Sequence, residues 1–109
     1  MKVAKVVSAQ RKVERALQRV ERLDSIISEK RALVEGAEAE LIELLLPWAE
    51  VERGERPPRK GEYADIRIAE ASLRTHLEEM DSLREERREA HSLVSALMEE
   101  CARAEQGEG

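Results

Sequence analysis

The stretch VVSAQRKVERALQRVERLDSIISEKRALVEGAEAELIEL, residues 6–44, decides the fold. Every seventh residue from Val6 is apolar: Val6, Val13, Val20, Ile27, Val34 and Leu41. Taken as heptad position a, these set position d, which reads Ala9, Ala16, Leu23, Lys30, Ala37 and Leu44. Only Lys30 interrupts the pattern. A strict seven-residue repeat keeps one stripe facing a partner when the helix supercoils left-handedly, so the stretch reads as a coiled coil.

The pattern returns further on. Position a of residues 62–105 reads Ile66, Leu73, Met80, Arg87, Val94 and Cys101, and position d reads Ala69, His76, Leu83, Ala90, Leu97 and Ala104. Two helices of similar length are expected, over 3–46 and 62–105, joined by a loop over 47–61. Pro47 has no N–H to give and is expected to break or kink the first helix. Residues 48–53 can add a short helical turn, which Gly54 stops. Pro57-Pro58 favours an extended path. Glu62 and Asp65 put negative charge where a helix N-terminus favours it. The tail 106–109 is expected to fray.

Two such helices with a breakable joint predict an all-α fold, a long antiparallel two-helix hairpin with 1–109 as one domain. Pairing positions that sum to about 110 sets a against d′. The layers become Ala16 with Val94, Val20 with Ala90, Ile27 with Leu83, Ala37 with Leu73, and Leu41 with Ala69. Large faces small in most of them, which fills a seam without voids. On the flanks, Lys12 falls near Glu100, Glu79 near Lys30, and Asp24 near Arg84, while Glu38 near Glu70 is unfavourable.

Composition points the same way. Of 109 residues, 39% are charged and 2% aromatic, and there is no Phe. Five Gly and three Pro cannot supply the turns of an ordinary β or α/β fold. A single Cys excludes an intramolecular disulfide and suits a reducing compartment. The start, Met1 to Ser8, lacks the apolar core of a signal peptide. No apolar run reaches the roughly 18 residues of a membrane span. A cytoplasmic location without membrane attachment is the expectation.

The net charge is −5 and uneven. Residues 1–23 carry +5, residues 24–46 carry −4, residues 47–61 carry +1 and residues 62–109 carry −7. The basic start holds Lys2, Lys5, Arg11, Lys12, Arg15, Arg19 and Arg22. With no aromatic or Gly among these cations, and with the acidic end of the second helix alongside, nucleic-acid binding is disfavoured.

No catalytic, cofactor or metal site is readable, and the chain is expected not to be an enzyme. His76 and His91 are fifteen residues apart on one helix, about 22 Å along its axis, too far to share an ion. His76 fills a seam position and could make a pH-sensitive layer, since imidazole titrates near neutrality. Cys101 at position a reads as a small hydrophobe. Gly54 and Gly61 do not have the spacing of a phosphate-binding loop.

Two sets of residues point to association. Leu17, Ile26, Leu33, Leu77 and Leu93 lie outside a and d, and a stripe wider than a and d marks a bundle. They are the expected self-association stripe. The loop end gathers Trp48, Arg53, Arg56, Arg59 and Tyr63, of residue types enriched at binding hot spots. They form an expected partner-binding tip, against the alternative that Trp48 and Tyr63 only plug the hairpin. The functional expectation is a non-enzymatic interaction protein, a homodimeric four-helix bundle or an adaptor or assembly component for another helical protein. The alternative is an acidic inhibitor that mimics nucleic acid on a basic partner surface. A weaker alternative is nucleic-acid binding through the basic N-terminal segment.

Overall fold

Two helices account for nearly the whole chain: α1, Lys2–Glu52, and α2, Glu62–Gln106. The computed structural model describes residues 2–107. Side-chain exposure follows the heptads closely. Between Val3 and Leu46, the residues withdrawn from solvent are the twelve a and d positions and no others. In α2 the twelve a and d positions are again withdrawn, joined only by Glu62 and Glu70.

The hairpin divides into two units. The terminal unit joins the residues through Ile27 to those from Ser82 onward, and the loop unit is Ser28–Asp81. Within each, a segment of α1 packs against a segment of α2. Ala16, Val20, Leu23, Ala90 and Val94 form the core cluster of the terminal unit, flanked by Leu83 and Leu97. Ala90, at 1% exposure, is its most buried member. Lys12 pairs with Glu100 at 3.9 Å, and Arg87 Nε donates to Asp24 Oδ1 at 2.5 Å. As position rises along α1 it falls along α2, so the two segments run antiparallel. The loop unit buries Val34, Ala37, Ile66, Ala69 and Met80. Its Lys30–Glu79 pair and its Trp48–Tyr63 contact give the same antiparallel sense.

Pro47 does not end α1. The helix runs on to Glu52, so the connector is residues 53–61 rather than 47–61. The missing proline N–H would have gone to Glu43, an exposed residue whose carbonyl water can reach. Contacts beyond the proline hold the last turn. The end is a Schellman motif: Glu55 N–H donates to Glu50 O at 2.9 Å and Gly54 N–H to Val51 O at 3.0 Å. That motif needs a left-handed residue, and Gly54 has φ of +75°. Gly61, at φ of +80°, makes the corresponding reversal into α2. At the far end Gln106 is still helical, and Gly107 N–H donates to Arg103 O at 2.8 Å. Of the tail expected to fray, residues 108 and 109 lie outside the described residues.

Candidate functional site

The loop unit closes around one arginine. Arg56 Nε donates to Glu50 Oε2 at 2.9 Å and Nη2 to the Pro47 carbonyl at 2.8 Å. Its guanidinium also grips Glu62 with two bonds, Nη2 to Oε2 at 2.6 Å and Nη1 to Oε1 at 3.0 Å. Nη1 reaches the Pro57 carbonyl as well, at 3.2 Å. A planar fork suits such paired recognition. Arg56 thus joins the end of α1, the Pro-Pro segment and the start of α2. Its bond to Glu62, reinforced by the Arg59 amide at 2.9 Å, holds the Glu62 carboxyl down to about 2. The same carboxylate, with Glu50 second, raises Arg56 above the usual arginine range.

The five loop-end residues expected to meet a partner therefore differ in what they have free. Arg56 is committed within the chain. Arg53 is exposed and bonds Glu55 through Nε at 2.7 Å and Nη2 at 3.2 Å. Arg59 is exposed, and its backbone amide is engaged by Glu62. Trp48 is half-buried and leans on Tyr63, with ring centroids 5.7 Å apart and planes tilted by 37°. Tyr63 is exposed, and Arg67 lies over its ring at 5.9 Å and donates to its hydroxyl at 3.3 Å. Arg67 was not foreseen; its i, i+4 spacing from Tyr63 was the available signal.

Both interruptions of the seam find partners. Lys30 Nζ lies 2.9 Å from His76 Nδ1 and pairs with Glu79 at the rim. An ammonium can only donate, so Nδ1 accepts. Lys30 lowers the Glu79 carboxyl below its usual range. Arg87 turns outward to Asp24, which does not pair with Arg84 as the register alone suggested. Cys101 Sγ is 3.9 Å from Glu105 Oε1. Among the described residues no group of three His, Cys, Asp or Glu is placed to hold a metal ion. None of the described helices is long and apolar enough to cross a membrane.

The five stripe residues are all exposed. Leu17 and Leu77 occupy position e, while Ile26, Leu33 and Leu93 occupy position g. In an antiparallel pair e and g line opposite flanks of the seam. In the terminal unit, Leu93 and Leu97 form a shallow groove with Ala16, rimmed by Lys12, Arg15, Arg19 and Arg22. Compared with known proteins, the chain matches no family model, no curated protein and no solved structure.

Proposed function

We propose that the chain is a non-enzymatic interaction protein whose hairpin is completed to a four-helix bundle by a second copy of itself. One observation carries the reading. The a and d positions already fill the seam, yet at position g Ile26, Leu33 and Leu93 stay 45–53% exposed, and at position e, on the opposite flank, Leu17 and Leu77 stay 42–43% exposed. Soluble chains cover such surface, and two helices alone make a thin core. A cytoplasmic location fits this role. Sedimentation at micromolar concentration should give a mass near twice 12.4 kDa. A well-folded species that stays at the single-chain mass would refute the dimer.

A further inference from the structure

The bundle reading leaves open which face is used and in which direction the copies run. Positions c and g of α1 answer both. In the terminal unit they read Lys5, Ser8, Lys12, Arg15, Arg19, Arg22 and Ile26, with no acid. In the loop unit, as far as Glu43, they read Glu29, Leu33, Gly36, Glu40 and Glu43, with no base. Ile26 and Leu33 are 45% and 53% exposed. Among the described residues Arg15, Arg19, Arg22, Glu29, Glu40 and Glu43 enter no ion pair within the chain.

Resting on the proposed homodimer, we infer that the c and g side of α1 is its interface, with two copies antiparallel about a two-fold axis near Ile26. Each basic segment then lies against the other copy's acidic one. Matching g positions that sum to about 52 sets Ile26 on Ile26 of the second copy, Lys12 on Glu40 and Arg19 beside Leu33. The c positions, one step round, bring Arg22 to Glu29. Leu33 enters beside the groove of Leu93 and Leu97, whose rim is basic. α2 offers Glu86, Glu89 and Glu100 against the single base Arg103 at its own g and c positions in the terminal unit, so the attraction belongs to α1 against α1. A parallel arrangement would set base on base and acid on acid, and like charges brought together select against it. A two-fold contact uses the same patch on both chains and closes, so assembly stops at two.

Charge reversal tests the orientation. One variant carries Lys12→Glu, Arg19→Glu and Arg22→Glu; the other carries Glu29→Lys, Glu40→Lys and Glu43→Lys. Each alone should be helical by circular dichroism and raise the dimer dissociation constant by roughly a hundredfold or more, read by sedimentation. Mixed one to one, the two should form a heterodimer, and all six changes in one chain should restore the homodimer. If each triple variant dimerises as the parent does, the interface lies elsewhere and the inference fails while the homodimer stands. If both lose dimerisation and neither mixing nor combination restores it, the antiparallel match is wrong. A parent that is monomeric removes the homodimer itself.

Discussion

Exchanging volume across one seam layer is the most direct probe of how α1 and α2 mesh. Val20 and Ala90 belong to one core cluster, at 8% and 1% exposure. Val20→Ala removes two buried carbons, about 1.6 kcal/mol of transfer free energy. The unfilled space adds to this and the better helix propensity of Ala subtracts about half a kcal/mol, leaving roughly 2 kcal/mol. Ala90→Val forces two carbons into a site with no exposed surface to yield, and overpacking of this kind costs about 1–3 kcal/mol. If the two side chains share a layer, the double variant keeps the layer's volume. Its loss should then fall below about 1.5 kcal/mol, against roughly 4 kcal/mol for the singles added together. Urea unfolding at one fixed protein concentration is the assay, because self-association makes stability depend on concentration. Losses that add to within about 0.5 kcal/mol would mean that the two residues do not touch, and the register would be wrong.

Four further outcomes are expected. Glu62 ionises at about 2 when folded, so it stabilises the folded state above the ordinary carboxylate range, and that contribution is lost as pH falls toward 2. Melting temperatures from pH 6 to 2 should therefore drop less steeply in Glu62→Gln than in the parent, and parallel curves would refute the Arg56 bond. Gly54→Ala should cost about 1 kcal/mol through its positive φ, with nothing for the new Cβ to strike. Gly36→Ala, mid-helix and equally open, should gain about 0.5–1 kcal/mol, both read by thermal melts. Trp48→Ala should lower the melting temperature by removing an aromatic pair of about 0.5–1.5 kcal/mol beyond its buried area, while Trp48→Phe keeps most of it. An unchanged melt would mean that the ring does not support the fold.

The seam was legible because a heptad is a statement about one helix and needs no knowledge of the other. Every a and d position from Val6 to Leu44 and from Ile66 to Ala104 is withdrawn from solvent. The rim pairs Lys12–Glu100 and Lys30–Glu79 followed once the two helices were put in register. Asp24 was mispaired because the register fixes backbones, whereas a seam arginine must carry its charge outward and so competes for the nearest rim carboxylate. Pro47 misled for a similar reason. The rule concerns one lost hydrogen bond, and the Arg56 bond to the proline carbonyl and the packing of Trp48 on Tyr63 come from residues later in the chain. Arg56 looked like its neighbours Arg53 and Arg59; only the folded turn brings Glu50 and Glu62 to the same guanidinium.

The short spans of the Arg56 knot favour closing the turn before the rest of the hairpin. The knot's bonds join residues no more than nine apart in sequence, while Lys30–Glu79 spans 49 and Asp24–Arg87 spans 63. Loop entropy is smallest where the span is shortest, and each doubling adds about 0.6 kcal/mol. With the turn closed first, each later layer has only the next few residues to bring together, so helix pairing can travel outward from the turn as a zipper. The route brings together contacts that are distant in sequence without closing a long loop at any step. It also makes the terminal unit the last to close and the first to open. Native-state hydrogen exchange should find its amides turning over before those of the loop unit.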